Sequence, residues 1–403
     1  MNALRRQFFL SYAVIGSVMP LLTVFLRVEA EFTFLAIGVA MSLMNVPMIC
    51  SPALITLLAD KNVDPRRILA VAFTLSSCVL TSIYFSESLT LTFILFFFHG
   101  LSFVAMLPLQ DGFYFTYAEE NRKRGISVPE YPMIRIWGTI GFILPSIILF
   151  FVLRKTGGGA GAIIPCAVLF CLLSLANSFT LPKLSRALRS TASKQFPTQK
   201  ALATLFSKEA RWLCVGLALA FFCTSAYYGF IANYYTEVIG IPNKYIGLIM
   251  NIGVVLEIFY TLLMPRLQRW LTLKGILVCG LGFMSLRMFL LWAFPSMTTV
   301  LITQIGHGFE VMALFVVPVM FLNRLAGDEF RNSIQGVYTM AVGGVARVIA
   351  GVSAGLIVTQ FGLQTLFLIT GSVGCVATLV IAVLFARIPP PVAEPEASPN
   401  SHP

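Results

Sequence analysis

The sequence contains few charged residues for a chain of 403 residues. Only 11% are Asp, Glu, Lys or Arg, while 58% are hydrophobic and the mean hydropathy is +0.86. A soluble globular protein carries roughly 25% charged residues, because most of its surface faces water. This shortage excludes the soluble classes and indicates an integral membrane protein.

Histidine is also scarce, with three in the chain, and the eight cysteines are scattered through apolar runs. None of these cysteines forms a close pair matched by a second pair, which a disulfide framework or a zinc site would require. The sequence shows no phosphate-binding glycine loop and no set of serine, histidine and acid. We therefore expect no metal, no cofactor and no enzyme activity.

Apolar runs of about 20 residues recur along almost the whole chain, and each is long enough to cross a ~30 Å hydrocarbon core as a helix. We count twelve, so the predicted fold class is an all-α membrane protein with twelve transmembrane helices. The first run continues past any cleavage site and is expected to stay in the membrane. The predicted spans are 7–28, 33–59, 67–86, 90–117, 132–153, 160–181, 212–236, 245–265, 274–294, 297–322, 332–358 and 364–386.

Lysine and arginine are unequally distributed between the two sets of loops. If the N-terminus is cytoplasmic, the loops on that side carry 21 of these residues and the opposite loops carry 4. Because cytoplasmic loops are enriched in Lys and Arg, both termini are predicted to be cytoplasmic. The net charge of +11 then reflects topology and attraction to anionic lipid. Nucleic acid is not expected as a partner, since the basic residues form no single patch.

The chain divides into two sets of six spans around one long polar stretch. Residues 182–211 carry seven basic residues and one acid, which is typical of a cytoplasmic linker. We predict an N-terminal half at 1–181, a C-terminal half at 212–387 and a disordered, proline-rich tail at 388–403. Similar features recur about 200 residues apart in the two halves, as in transporters built from repeats.

Eight ionisable side chains fall inside the predicted spans. A charged residue at the centre of a membrane helix costs about 2.5–3.5 kcal/mol to insert, so these residues should not face lipid. Three acids against three arginines predict mutual pairing around an internal aqueous cavity, as in a transport pathway. The residues are Asp111, Arg135, Glu257, Arg287, Glu310, Arg347, His99 and His307.

Three of these residues have a structural alternative, and for His99, which follows "LFFF", it is a hydrogen-bonded contact between helices. Arg347 lies among glycines in span eleven and is expected either to form a packing pair with a carboxylate or to serve transport. Asp111, beside Gln110 late in span four, is expected to form a structural salt bridge or to take part in proton coupling. Glu257 has no basic residue within one turn and lies mid-span, which favours a functional role.

His307 and Glu310 are three residues apart, so they share one face of a helix. Histidine changes its charge near neutral pH, and a carboxylate beside it completes a workable proton carrier. The pair therefore predicts proton coupling in span ten, although so short a spacing also arises by coincidence.

Several motifs resemble the major facilitator superfamily, and more closely its bacterial nucleoside–proton symporters. Their order and spacing carry the resemblance, which extends from about Pro20 to Gly362. It implies the major facilitator fold, alternating access and uptake of a nucleoside with protons. The motifs are "ADK" at 59–61, "YPMIRIWGTIGF" at 131–142, Glu257 eight residues before Pro265, "LRMFL" at 286–290, the step Phe309–Glu310 and "SIQGVY" at 333–338.

The same resemblance implies a substrate site. Arg135, Thr139 and Phe142 would line it from span five, and their spacing puts them on one helical face. Glu257 would accept hydrogen bonds from the substrate, and Phe309 would stack on a planar ring of the substrate.

The resemblance further implies that Glu310 takes the coupled proton. We expect His307 to tune this proton transfer, with Asp111 as another candidate carrier. A second, shorter resemblance, to lactose permease and the oligosaccharide symporters, supports proton coupling. It consists of "HGFEV" at 307–311 with Arg287 twenty residues upstream.

The remaining charged residues are expected to act in gating. The loop "ADKNVDPRRI" follows span two, and its Asp60, Arg66 and Arg67 are expected to form charge contacts across helix ends. Exposed ion pairs contribute only ~0.2–1 kcal/mol, so such contacts can break when a cavity opens. Arg287 and Arg347 are expected in charge pairs within the spans.

The chain also departs from the nucleoside symporters. Polar amides that the family places on spans seven and eight, and a tyrosine of its span ten, are replaced by Ala226, Gly229, Val254 and Ile305. Nucleobase recognition through those groups is therefore absent, and the candidates to replace them are Tyr227, Tyr228 and Asn233.

The resulting interpretation is a proton-coupled symporter, expected to be monomeric, in a bacterial inner membrane. Its predicted partners are a small polar solute, protons and the lipid bilayer. A nucleoside is the first candidate for the solute, and a sugar or an aromatic acid is the alternative. A further hypothesis is a non-transporting membrane protein that has kept the fold.

Overall fold

The computed structural model describes residues 1–60, 64–184, 198–326 and 331–385, which are almost entirely helical. In chain order the α-helices are α1 Asn2–Val18, α2 Leu22–Val28, α3 Phe34–Asp60, α4 Pro65–Tyr84, α5 Leu89–Lys123, α6 Tyr131–Lys155, α7 Ile163–Ser178, α8 Thr198–Leu205, α9 Arg211–Glu237, α10 Asn243–Trp270, α11 Leu273–Ala293, α12 Met297–Thr303, α13 His307–Val311, α14 Val317–Ala326, α15 Arg331–Tyr338 and α16 Val345–Leu379. Short 3-10 segments lie at Ala160–Ala162 and Gln304–Gly306, and π-helical segments lie at Met312–Val316, Thr339–Gly344 and Val380–Phe385.

Within the described ranges, ten helical segments are long and apolar enough to cross a membrane. The prediction of an all-helical membrane protein is therefore confirmed. Phe34–Cys50 of α3 is a further apolar helical stretch, and the segment Ile334–Phe385 is 52 residues long. The linker predicted at 182–211 contains the helix α8, while its residues 185–197 and the tail from 386 lie outside the described part.

The run Ile334–Phe385 contains a break at Gly362, whose φ is 83° and ψ is 165°. Glycine adopts this left-handed region without the steric penalty that a Cβ imposes. Before the break, Gly351 packs against Ser42 of α3; after it, Gly374 packs against Ser285 of α11. The two parts of α16 therefore belong to two different helix–helix packings.

Local sequence signals explain where several helices begin. Asp64 precedes Pro65, and its carboxylate accepts a hydrogen bond from the backbone nitrogen of Arg66 at 3.0 Å. An aspartate at the N-cap followed by proline at the first helical position is favoured, because each suits the unpaired amides of a first turn. Ser88 and Thr272 cap α5 and α11 in the same way.

Glycines allow α1 and α6 to pack backbone against backbone. A Cβ on Gly16 would overlap the carbonyl group of Phe142, and a Cβ on Gly141 would overlap that of Phe9. This close contact fixes the rotation of α6 about its own axis. The face of α6 that carries Gly141 is buried against α1. The position of Arg135 on α6 follows from this packing.

Polar contacts join the two halves near one end of the helices. Asn243 Nδ2 donates to the carbonyl oxygen of Gly158 at 2.7 Å, and Arg27 Nε lies 3.4 Å from Glu237 Oε1. Asn233, a candidate for substrate recognition, instead donates to a backbone carbonyl of α2 at 3.2 Å. Among the described residues, the hydrogen bonds and the ion pair between the halves lie at this end or near the helix middles.

Candidate solute and proton site

Arg135 lies one turn into α6, where its guanidinium carbon stands 4.2 Å above the ring centre of Tyr12. A Cβ on Gly138 would collide with that tyrosine ring, so the glycine makes room for the stacked pair. Within the described ranges no carboxylate lies within ion-pair distance of Arg135. Aromatic stacking positions the guanidinium and leaves its donors available to a ligand.

Glu257 is brought opposite Arg135 by the pairing of α6 with α10. The two helices run antiparallel, and Asn251 Nδ2 donates to the carbonyl oxygen of Ile143 at 3.2 Å. About two turns further along this antiparallel pair of helices, Glu257 on α10 lies near the level of Arg135 on α6. The two charges interact electrostatically. The Glu257 side chain is 37% exposed. These two residues therefore face each other across the boundary between the halves.

Thr139 and Phe142 share the face of α6 that carries Arg135, as their spacing predicts. Both are partly exposed, whereas Gly138 and Gly141 on the adjacent face are buried against α1. The three predicted wall residues therefore each keep part of their surface exposed, although Arg135 also stacks on Tyr12 of α1.

Asp111 forms a hydrogen bond rather than an ion pair in the described part of the chain. The hydroxyl of Tyr131 donates to Asp111 Oδ1 at 2.8 Å, which connects α5 to the first turn of α6. A cavity of about 650 Å³ lies at this end of the two helices, and Tyr131 is one of its walls. Glu119, Arg122 and Glu130 provide charged groups around the cavity.

The C-terminal half contains a buried ion pair. Arg287 Nη1 lies 3.0 Å from Glu310 Oε2, and the two side chains are only 4% and 3% exposed. Thr224 donates to the other oxygen of Glu310 at 3.0 Å, and Arg287 also donates to the hydroxyl of Tyr227. These contacts satisfy both carboxylate oxygens and both terminal nitrogens of Arg287, while its Nε has no hydrogen-bond partner among the described residues. Either charge without the other would be strongly unfavourable in this buried position.

His307 belongs to a second polar cluster. Its Nδ1 is hydrogen-bonded to the hydroxyl of Tyr228 at 3.1 Å, and its Nε2 lies 3.9 Å from Glu257 Oε2. No direct hydrogen bond joins His307 to Glu310 among the described contacts, although both are buried on α13. The histidine therefore links the candidate solute site at Glu257 to the interior of the C-terminal half.

Phe309 belongs to a cluster of aromatic side chains. Its ring is stacked on Phe283 with centres 5.3 Å apart, and it packs against Tyr260 at 4.6 Å. Phe283 is itself 42% exposed, so this aromatic cluster lies between α10, α11 and α13, toward the outside. The expectation that Phe309 stacks on a ring of the substrate stays a prediction, and in this structure the ring is in contact with two neighbouring aromatic rings.

The predicted charge pairs are realised only in part. Arg287 pairs with Glu310, whereas Arg347 has no carboxylate within ion-pair distance among the described residues. Its Nη1 instead donates to Met48 Sδ at 2.8 Å.

The loop residues expected in gating make contacts within one half. Arg66 pairs with Asp64 at 2.7 Å and donates to the carbonyl oxygen of Leu181 at 3.1 Å. Arg67 is exposed and forms no ion pair with another described residue. The side chain of Asp60 lies outside the described part of the structure.

Several residues in these clusters were missed by the sequence analysis. Uncharged polar and aromatic side chains cost little to insert into a membrane, so their presence in a span does not indicate a function. Only their positions beside charged residues in the structure identify them. They are Tyr12, Thr224, Tyr235 and Gln304. Across the described ranges, no group of three or more His, Cys, Asp or Glu side chains is arranged to hold a metal ion.

An all-helical bundle with membrane-spanning segments, and with charged groups placed inside it, defines a polytopic membrane protein with an internal polar site. A model of the MFS_1 like family matches residues 2–369. Because this match covers most of the chain, the protein belongs to that family.

Two named proteins and one crystal structure are similar over nearly the full length. Nucleoside permease NupG of Escherichia coli (strain K12) is 24% identical, with 94% of each chain covered. The maltose permease of Geobacillus stearothermophilus is 22% identical, covering 94% of this chain and 93% of the permease. A crystal structure of nucleoside transporter NupG superposes with a TM-score of 0.83 at 18% identity, covering 95% of this chain and 98% of that chain.

These relatives are permeases, and the prediction that the chain is not an enzyme is confirmed. The resemblance to the major facilitator superfamily and to nucleoside permeases is also confirmed.

Proposed function

We propose that this protein is a proton-coupled symporter that imports a small polar solute, with nucleosides as the first candidates. The observation that carries the proposal is the placement of Arg135 opposite Glu257 across the two halves. A cation and an anion separated by a gap provide donors and acceptors for the hydroxyl groups and ring of one solute. The similarity to nucleoside permeases supports the choice of solute class.

The proposed solute site comprises Arg135, Thr139 and Phe142 on α6 and Glu257 on α10. Arg135 donates hydrogen bonds through its planar fork, and Glu257 accepts them. Because the two charged residues belong to different halves, a solute between them draws the halves together. Binding energy is thereby converted into a change of conformation.

Proton coupling is assigned to Glu310, with His307 in a tuning role and Asp111 as a further candidate. In the described conformation Glu310 lies against the guanidinium of Arg287, and it also accepts a hydrogen bond from Thr224. Protonation of Glu310 would release the guanidinium. His307 connects this interior to Glu257 and thus to the solute.

Alternating access is supported by the contacts between the halves, which concentrate at the end formed by Asn243, Gly158, Arg27 and Glu237. We infer twelve crossings in two halves, 1–181 and 212–387. The count adds α3 to the ten segments and divides the last segment at Gly362. With both termini cytoplasmic, the joined end faces outward. The proposed setting is a monomer in a bacterial inner membrane.

A sugar is the second candidate solute. The similarity to a maltose permease covers as much of the chain as the similarity to the nucleoside permease. The arrangement of a buried arginine, a carboxylate and a histidine in α11 and α13 also matches the resemblance to oligosaccharide symporters.

Uptake into proteoliposomes tests the proposed function. Labelled uridine and labelled maltose are supplied with and without an acidic external medium. We expect uridine to accumulate only with the proton gradient, and Glu257→Gln to abolish uptake while Arg154→Gln, an exposed arginine at the end of α6, leaves it unchanged. Accumulation of maltose alone would favour the second candidate. Accumulation that is insensitive to the gradient would contradict proton coupling.

A further inference from the structure

Arg347 carries a positive charge for which the described part of the chain supplies no counter-charge. It lies about 24 Å along the helix from Arg331, at ~1.5 Å per residue, and is therefore far from the helix end. Its side chain is partly exposed, and no described carboxylate lies within ion-pair distance. Arg287, by contrast, is neutralised by Glu310.

The immediate neighbours of Arg347 hold its guanidinium group without satisfying it. The ring centres of Phe221 and Phe315 lie 4.7 and 5.9 Å from the guanidinium carbon. Aromatic faces attract a cation but offer no lone pair. The acceptor for Nη1 is the thioether of Met48, which is a weak acceptor. Most of the five donors of the planar fork therefore remain available to a ligand.

A second polar group beside Arg347 also lacks a partner. The hydroxyl of Tyr338 is buried and has no hydrogen-bond partner among the described residues, and the residue is only 5% exposed. Its ring lies 6.2 Å from Phe221, and it is an electrostatic neighbour of Arg347. An unpaired buried hydroxyl costs about 1–3 kcal/mol. An acceptor bound at Arg347 would relieve that cost.

The backbone around this group is irregular. The π-helical segment Met312–Val316 contains Phe315, and the segment Thr339–Gly344 ends three residues before Arg347. Such segments are frequent at functional sites, because they interrupt the regular ladder of helical hydrogen bonds. A Cβ on Gly343 would lie 3.5 Å from Nη1 of Arg347, so the glycine leaves that side of the guanidinium uncovered.

We propose that Arg347 and Tyr338 form an anion-binding subsite for the transported solute, whose acidic group is a carboxylate or a phosphate. This inference rests on the proposed transport function and extends its substrate class to acidic derivatives of nucleosides and nucleobases, which would bind more tightly than the neutral compounds. A planar guanidinium matches both anions through two parallel hydrogen bonds. Met48 belongs to the N-terminal half, so an anion that displaces its sulfur would act at the boundary between the halves.

Two pairs of probes, matched except for charge, test the subsite by calorimetry on the full chain in nanodiscs. Uracil and orotate differ by a carboxylate, and uridine and uridine monophosphate differ by a phosphate. We expect the acidic member of at least one pair to bind about tenfold tighter or more. Arg347→Gln should abolish this preference and leave the Kd of the neutral member unchanged, whereas Arg154→Gln should retain it.

Two milder variants keep the test informative if Arg347→Gln unfolds, which thermal unfolding in the same nanodiscs would reveal. Arg347→Lys should keep part of the preference, because it retains the charge but lacks the fork. Tyr338→Phe should reduce the preference a few-fold, since it removes only the hydroxyl.

The absence of an acidic preference in both pairs, or a preference that survives Arg347→Gln, would overturn the inference. Proton-driven uptake of neutral uridine without that preference would remove the subsite and leave the proposed transport function intact. An acidic preference lost in Arg347→Gln, without uptake of any solute by the wild-type protein, would establish the subsite and contradict transport.

Discussion

Gly247 of α10 lies directly against Ser146 of α6, so that a Cβ on Gly247 would stand 2.9 Å from the Cβ of Ser146. Carbon atoms that are not bonded to each other prefer separations of about 3.5–4.0 Å, so no side chain fits there. Ser146 is 3% exposed and Asn251, one turn further along α10, bonds across to α6. The absence of a side chain at Gly247 therefore allows the halves to close at this end.

Gly247→Leu should wedge the halves apart at this end. Spin labels at Arg154 and Lys244, in a background without the native cysteines, report the separation by double electron–electron resonance. We expect the mean distance to increase by several Å relative to the parent protein. Gly282→Leu is the matched control, because a Cβ at Gly282 meets nothing within 4 Å. An unchanged distance in Gly247→Leu would show that this contact does not control closure.

Arg287→Gln and Glu310→Gln should each destabilise the protein by about 3–5 kcal/mol, because each leaves one buried charge without its partner. The double variant Arg287→Gln/Glu310→Gln removes both charges and should be more stable than either single variant. Unfolding in detergent, followed by near-UV circular dichroism, completes the double-mutant cycle. Additive losses in the double variant would mean that the two residues are not energetically coupled.

Arg135→Ala should lower the affinity for the transported solute by tenfold or more, since a charged hydrogen-bond partner is lost from the site. Arg135→Lys should recover little, because an ammonium group neither stacks as well on Tyr12 nor provides the planar fork. Calorimetry on purified protein measures both. Wild-type affinity in Arg135→Ala would remove this residue from the solute site, and Arg154→Ala controls for a general loss of positive charge.

Glu310→Gln imitates a permanently protonated carboxyl group while keeping an oxygen that accepts the hydrogen bond from Thr224. It should lose accumulation driven by a pH gradient and retain solute binding and exchange of internal for external solute. His307→Gln should be milder, altering the pH optimum and leaving accumulation in place. If Glu310→Gln still concentrates solute when driven by pH alone, the proton is carried by Asp111 or Glu257.

Composition and hydropathy are sufficient to predict the class of the protein. Hydropathy is a property of each stretch of about 20 residues, so the predicted span 132–153 corresponds closely to Tyr131–Lys155. The gap left between the last two predicted spans, 332–358 and 364–386, contains the break at Gly362. The shared face of Arg135, Thr139 and Phe142 also followed from helical periodicity alone.

The tertiary structure alone decided which charges are paired. Three acids and three arginines can be combined in several ways, and the choice depends on how each helix is rotated and which helices touch. Rotation is set by contacts such as Gly16 against Phe142, far apart in sequence, which leave Arg135 facing Glu257. In the C-terminal half, the packing of the helices likewise pairs Arg287 with Glu310 and places Phe309 against Phe283. A pattern in one sequence carries no information about contacts between residues that are distant in the chain. The residues of the site could therefore be predicted, but their positions relative to one another could not.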